Sequence, residues 1–243
     1  MKNTTASDCV EHFSNNQAEF GKYYLDNQEF RERVQVWRRL LDRYSVPNGL
    51  SLDMGCGTGV FALYLAAKGG RVIGVDAAVE MVKACESQRR DLGYDNVTFI
   101  QARLPDVDET ALGVADLLIS SSVLEYVERL DDTLALFARL LKPRGTLIVS
   151  MPNVLCISRG YQRLKHRLMG RPAIYNYIRH FTSPRRLQRR VQALGLTLRE
   201  VCYYNHATRL AFVTRALKLP PSLTEDLFVV VFEKAEPQRD MAG

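Results

Sequence analysis

The sequence predicts a doubly wound α/β fold on a seven-stranded, mostly parallel sheet. Three observations predict it. Short apolar runs alternate with helical stretches of ten or more residues, the pattern of strands joined by crossover helices. A glycine-rich turn, "MGCGTG", sits between the first apolar run and the first crossover helix. Hydrophobic residues make up 47% and charged residues 25% of the 243, enough for one sizeable core.

The elements follow in order. Residues 1–46 are expected to form a helical lid segment, and 47–243 the main domain with a cap at about 153–181. In "FRERVQVWRRLLDRY", Phe30, Val34, Trp37, Leu41 and Tyr44 recur at steps of three or four, one face of a helix. Pro47 and Gly49 break it. "GLSLDM" reads as a buried strand and "TGVFALYLAAKGG" as a helix closed by Gly69 and Gly70. "RVIGVD" is the second strand, and "AVEMVKACESQRRDLG" a helix ending at Gly93. "NVTFIQA" and "ADLLISS" are the third and fourth strands. "DDTLALFARLLKPRG" is a helix capped by Asp131 or Asp132 and stopped by Pro-Arg-Gly, and "TLIVSMP" is the fifth strand. The stretch 153–180 has no clear strand and is long for a connection, so a functional cap is expected there. "TSPRRLQRRVQALG" is a helix capped by Thr182 or Ser183 with Pro184 in its first turn. "LTLREVCYYN" and "LFVVVFEK" are two late strands, and 206–224 forms a loop between them.

Some classes fall away. "MKNTTASDCVEHF" has no apolar run after its basic residue, so no secretory signal is expected. No stretch has the roughly 18 apolar residues of a membrane span. Cys9, Cys56, Cys85, Cys156 and Cys202 are scattered and form no C-x-x-C pair, which fits free thiols in a reducing cytoplasm.

Ligands of such sheets bind outside the carboxyl ends of the strands, where the glycine turn lies. A P-loop needs Gly-Lys-Ser/Thr, and no lysine follows before Lys68. A dinucleotide fingerprint needs a third glycine at 60, which is Val60. The spacing is instead G-x-G-x-G, with Asp53 two residues ahead. That carboxylate repels a pyrophosphate and attracts a cationic ligand. "LDMGCGTG" resembles motif I of the class I S-adenosylmethionine-dependent methyltransferases, and the resemblance runs from about Gly49 to Lys234. It implies a Rossmann-like fold, S-adenosylmethionine as cofactor and S-adenosylhomocysteine as product. By that resemblance, Gly55, Cys56, Gly57, Thr58 and Gly59 approach the amino acid part of the cofactor, and Asp53 orients the loop or the ammonium group. Asp76, 76 − 57 = 19 residues after the central glycine and followed by Ala77, accepts the ribose hydroxyls; the plainer alternative is a cap for the next helix. Met81 flanks adenine or packs in the core. Ala102 and Arg103 stand where the family often has an acidic adenine contact, which leaves Leu104 to serve. "DLLISSSVLEYV" resembles the family's fourth motif. It sets Ser120 and Ser121 beneath the methionine moiety and Glu125 as a structural partner.

"SMPN", "RHFTSPRRLQRRVQALGL" and "YYNHATRLAF" resemble the small-molecule branch that includes the ubiquinone-biosynthesis O-methyltransferases. This implies methyl transfer to an oxygen or nitrogen of a small, aromatic or anionic acceptor. That branch carries a metal site around its E-Y position. Here Ser122 and Tyr126 stand there and only Glu125 matches, so no metal is expected. His180 is the first candidate for a general base and His206 the second; loss of a needed base costs roughly 100-fold or more. Tyr24, Tyr126, Asn153 and Tyr177 are candidate acceptor contacts, with routine packing the alternative for each tyrosine.

No Asp or Glu occurs between Thr133 and Arg199, while Arg159, Arg163, Lys165 and Arg167 interleave with Val154, Ile157, Tyr161, Leu164 and Leu168. The favoured account is a solvated lid helix that packs this stripe on the sheet edge. The other is contact of 154–169 with an anionic membrane surface, peripheral to the inner membrane face. Two further classes compete for the whole chain. One is an RNA methyltransferase using the basic cap, disfavoured because no RNA-binding module or N/D-P-P-Y/F motif is seen. The other is a non-catalytic cofactor-binding scaffold.

Overall fold

The computed structural model describes residues 5–16, 28–206 and 217–236. Its sheet has strand order β3-β2-β1-β4-β5-β7-β6. β1 (Leu50–Met54) lies between β2 (Arg71–Asp76) and β4 (Ala115–Ser121), both parallel to it. β3 (Val97–Gln101) pairs with β2, and β5 (Leu141–Pro152) with β4, again in parallel. Only β7 (Glu225–Lys234) runs antiparallel, between β5 and β6 (Leu196–His206). The carboxyl ends of β1, β2 and β4 therefore meet at one edge. The order reverses at β1, the switch point where such sheets leave a crevice.

Alternation along the strands feeds two cores. Leu52, Met54, Val75 and Leu118 face one side, with α6 (Leu130–Arg139) and α8 (Pro184–Gln192). Val72, Leu117 and Ile119 face the other, with α2 (Gln28–Tyr44), α3 (Val60–Ala67) and α4 (Val79–Leu92). Each large side chain fully buried there is worth roughly 1.5–3 kcal/mol over an exposed one.

The segment expected as a lid divides. α1 (Ala6–Asn15) starts on a capping box, Thr5 Oγ1 accepting from Asp8 N while the Asp8 carboxylate accepts from Thr5 N. α2 belongs to the core: Trp37, Leu40 and Leu41 have no exposed surface, and Trp37 stacks on Phe61 at 5.0 Å. Its apolar face is the one the spacing of Trp37 and Leu41 predicts.

Two boundaries differ from expectation. α6 ends at Arg139, and β5 begins at Leu141, before the predicted Pro-Arg-Gly stop. The Ala115 amide donates to the Leu140 carbonyl at 2.7 Å and Leu141 pairs with Ala115, so pairing with β4 overrides the helical spacing. Arg144 absorbs the resulting irregularity at φ +63. Asp131 and Asp132 sit in the first turn of α6, and Arg129 takes the cap position. A one-turn helix, α5 (Glu109–Leu112), is capped by Asp108 and is too short to carry a period in the sequence.

The cap is α7 (Ile157–Met169) followed by a 3₁₀ turn (Ala173–Asn176). Its stripe does not pack on the sheet edge, which overturns the favoured account: Ile157, Tyr161, Leu164 and Leu168 are exposed. The opposite face holds the helix, through Ser158, Arg159 and Gln162. In the loop expected at 206–224, His206 instead ends β6 opposite Glu225, a short helix α9 (Pro221–Thr224) precedes β7, and 207–216 lie outside the described residues.

Candidate functional site

The turn after β1 cannot continue as a strand. Gly55, Gly57 and Gly59 take φ +84, +54 and +79, a region that costs other L-residues about 1–2 kcal/mol each. The amides of Gly55 and Cys56 both donate to the Val75 carbonyl, at 2.7 and 2.9 Å, which binds the turn to β2. Gly59 then occupies the cap position of α3. At Gly55 the left-handed turn also lies under Val123, leaving no room for a side chain.

Asp76, at the end of β2, spans the crevice. Its Oδ2 accepts from the Gly57 amide at 2.8 Å and its Oδ1 from the Ala78 amide at 2.9 Å. Asp76 is not the cap residue of α4: that position falls to Ala78, which makes no side-chain cap hydrogen bond, and Asp76 instead ties the glycine turn to the chain just ahead of the helix. The same carboxylate also lines the cleft. Burial raises its pKa, and the amides of Ala78, Gly57 and Ala77 oppose the rise.

A cleft of about 230 Å³ opens over these strand ends. One part is walled by Asp53, the loop from Gly55 to Thr58, Asp76, Ala77, Met81, Ala102, Arg103 and Leu104. The other is walled by Cys9, Val10 and Phe13 of α1, Phe30 and Arg33 of α2, and Ser121, Ser122 and Tyr126 after β4. Phe13 meets Tyr126 edge-on at 5.2 Å.

Two buried oxygens in this wall, Asp53 Oδ2 and Thr58 Oγ1, have no hydrogen-bond partner among the described residues. Buried polar atoms are normally satisfied, so an orphaned pair facing a cleft marks a place for ligand donors. Arg33 enters the same cleft and donates through Nη2 to the Ser121 carbonyl at 2.9 Å and its Oγ at 2.6 Å. A carboxyl and a guanidinium thus stand together at the carboxyl end of β1 and β4. That pairing matches a zwitterionic amino acid group, so these residues fit the cofactor that the resemblance implies.

Burial pushes the Asp53 carboxyl up to about 7; the neighbouring Asp76 adds to the rise, while the Ala62 amide and Arg33 oppose it. A folded-state value above the unfolded one means that the free protein gains from Asp53 at low pH and loses that gain as pH rises through about 7. A cationic ligand reverses the preference and favours the ionised carboxylate. At pH 6, binding of S-adenosylmethionine is therefore expected to release up to about one proton. Calorimetry in buffers of different ionisation enthalpy measures this, and an unchanged proton count in Asp53→Asn would take Asp53 out of the ligand's reach.

Not every expected residue reaches the cleft. Ser120 points away from it and donates to the Met54 carbonyl at 2.8 Å, while its strand neighbour Ser121 faces in. Asn153 is fully buried and fully used: Nδ2 donates to the Ser222 and Glu225 carbonyls, and Oδ1 accepts from the Leu155 amide. It ties β5 to β7 and has no free group for an acceptor. Tyr177 stacks on His12 at 4.8 Å, behind the cleft wall, and so holds α1 down. His180 Nε2 donates to the Val127 carbonyl at 2.9 Å, and the residue lines a second cavity with Arg186, Arg189 and Arg190. Its pKa is lowered by burial first, then by Arg190 and Arg179. The backbone of His206 is the end of β6, its side chain lies outside the described residues, and so does Tyr24. Glu125 is buried, with burial raising its carboxyl to about 7, and its backbone carbonyl accepts from the Arg179 and His180 amides. It therefore joins the cap to the β4 exit.

Cys9, Val10, Phe13 and Arg33 carried no signal in the sequence; Phe30 carried only its helical spacing.

A family model described as a methyltransferase domain matches residues 47–192. The chain belongs to this methyltransferase family. Among curated proteins, this chain is 44% identical over 85 residues to the 23S rRNA (uracil(1939)-C(5))-methyltransferase of Shewanella sediminis, covering 34% of this chain and 19% of that protein. It is 35% identical over 105 residues to the ubiquinone biosynthesis O-methyltransferase of Bartonella quintana, covering 42% and 40%. The chain thus spans less than half the length of either relative. Among solved structures, the magnesium protoporphyrin IX methyltransferase of Synechocystis superposes with a TM-score of 0.71 at 17% identity, covering 95% of this chain and 99% of that one. The two share a fold.

Proposed function

We propose that this methyltransferase uses S-adenosylmethionine to methylate an oxygen or nitrogen of a small, aromatic or anionic acceptor. The observation that carries the proposal is the cleft in which Asp53, Asp76 and Arg33 share one space with an aromatic wall of Phe13, Phe30 and Tyr126. When bound, the cofactor supplies an electrophilic methyl group on a sulfonium.

The chain's own residues would do the rest. Asp53 pairs the ammonium and Arg33 the carboxylate of the cofactor's amino acid part, and Asp76 accepts its ribose hydroxyls. Phe13, Phe30 and Tyr126 exclude water and hold an aromatic acceptor in line, the alignment on which such a displacement depends. Burial and the neighbouring Glu125 raise the Tyr126 phenol, so it stays protonated and acts as a wall or donor, not a base.

The test is radiolabelled methyl transfer to separate pools of phenols, amines, RNA and lipid extract. Label in phenols or amines is expected; label in RNA alone would overturn the acceptor class, and no label in any pool would favour a cofactor-binding scaffold. In the same assay His180→Ala is expected to keep turnover within about threefold, well short of the loss of a general base. A loss of about 100-fold with unchanged cofactor affinity would return proton transfer to His180.

A further inference from the structure

α7 exposes an apolar face that nothing in the fold requires. Ile157, Tyr161, Leu164 and Leu168 follow one another at steps of four, three and four, a single helical stripe. They are 47%, 61%, 57% and 76% exposed, and Leu155 and Met169 extend the patch at 50% and 67%. Side chains of this size in one contiguous patch mark an interaction surface.

The helix is rigidly presented. Ser158 Oγ donates to Asp226 Oδ1, and Arg159 lies 3.9 Å from the same carboxylate and 3.3 Å from the Tyr175 hydroxyl. Tyr175 donates to Gln162 Oε1 at 2.9 Å, and Arg163 lies over the Phe181 ring at 4.6 Å. These contacts fix the inner face, so the stripe cannot roll inward without breaking a buried pair.

Charge selects the occupant. At 100° per residue, Lys165 and Arg167 fall on opposite flanks of the stripe. Arg171 follows the helix, and no Asp or Glu occurs on α7 or anywhere between Thr133 and Arg199. Apolar side chains flanked by cations, without anions, complement a bilayer surface with anionic headgroups. A protein partner of ordinary composition would bring no such uniform sign. No helix among the described residues is long and apolar enough to cross a membrane, so contact would be in the plane of the surface.

We propose that α7 docks this chain on anionic lipid bilayers, with Ile157, Tyr161, Leu164 and Leu168 entering the interface and Lys165 and Arg167 meeting headgroups. The proposal does not depend on the reaction proposed above, and its test needs no turnover.

The full chain is sedimented with vesicles of equal parts phosphatidylglycerol and phosphatidylcholine, and with phosphatidylcholine alone. Salt is set at about 0.01 M and about 1 M, where screening lengths are about 30 and 3 Å. Pelleting with the anionic vesicles at low salt, and at least tenfold weaker pelleting with phosphatidylcholine or at high salt, is expected. L164E/L168E alters only exposed positions and should melt like the wild type while losing anionic pelleting at least tenfold. Wild-type protein left in the supernatant at low salt overturns the proposal. So does undiminished pelleting of L164E/L168E, which would reduce the effect to net charge. A wild-type dimer that this variant makes monomeric, without vesicle binding, would give the face to a second copy instead.

Discussion

Replacing Asp76 by alanine is expected to weaken S-adenosylmethionine binding by roughly 1.5–3 kcal/mol, the scale of hydrogen bonds lost to a charged group. That is about 10- to 150-fold in affinity. The carboxylate already accepts from the Gly57 and Ala78 amides, so it joins the glycine turn to the start of α4. In the proposed complex its remaining lone pairs would take the ribose hydroxyls. The two roles separate by measurement. A purely structural Asp76 would lower the melting temperature of the free protein and leave calorimetric affinity, measured well below the melt, unchanged. Unchanged affinity would therefore remove Asp76 from the ligand site while leaving its link between the Gly57 and Ala78 amides intact.

The second large effect is steric. A Cβ on Gly55 would lie 2.3 and 2.7 Å from the two Val123 methyl carbons, in a backbone with φ +84. The left-handed conformation costs about 1–2 kcal/mol and overpacking about 1–3, so Gly55→Ala is expected to lose roughly 2–5 kcal/mol of stability. Gly57 differs: a Cβ there meets nothing within 4 Å, although φ is +54. Gly57→Ala should cost the free protein only the conformational part, about 1–2 kcal/mol. It should still lower cofactor affinity, because the new methyl enters the cleft. Thermal melts and calorimetry together distinguish the two glycines, and V123A should partly rescue Gly55→Ala. A Gly55→Ala protein melting with the wild type would show that the turn relaxes more freely than its contacts allow.

The strands and the glycine turn were legible because their causes are local. Alternation, the G-x-G-x-G spacing and the 19-residue step to Asp76 each act within one βαβ unit. The end of α6 was not, because β4 pairing with Leu141 is a long-range competitor that a proline in the sequence does not reveal. Ser120 and Ser121 show a finer limit. Strand periodicity says that only one of them can face the cleft, but not which, until the face covered by α6 is known. Arg33 and Phe13 lie far along the chain from Ser121 and Tyr126. Helical spacing announces that a face exists and is silent about what it meets. The stripe on α7 makes the converse point: its periodicity was correct and its burial was not, since an amphipathic pattern reports a preference for an apolar neighbour and does not supply one.

The wall that α1 lends to the cleft has a kinetic consequence. Its inner side meets the rest of the protein through ring contacts, His12 on Tyr177 and Phe13 on Tyr126, through the buried Cys9 and through packing on α4, and it contributes no strand to the sheet. A ten-residue helix has little intrinsic stability of its own in water. Its detachment thus belongs to the low-energy, local class of openings, well below the global unfolding free energy. Product exit through such an opening would couple turnover to the residence time of one short helix. Weakening the His12 stack would then speed release and lower affinity together, with the melting temperature of the sheet left where it was.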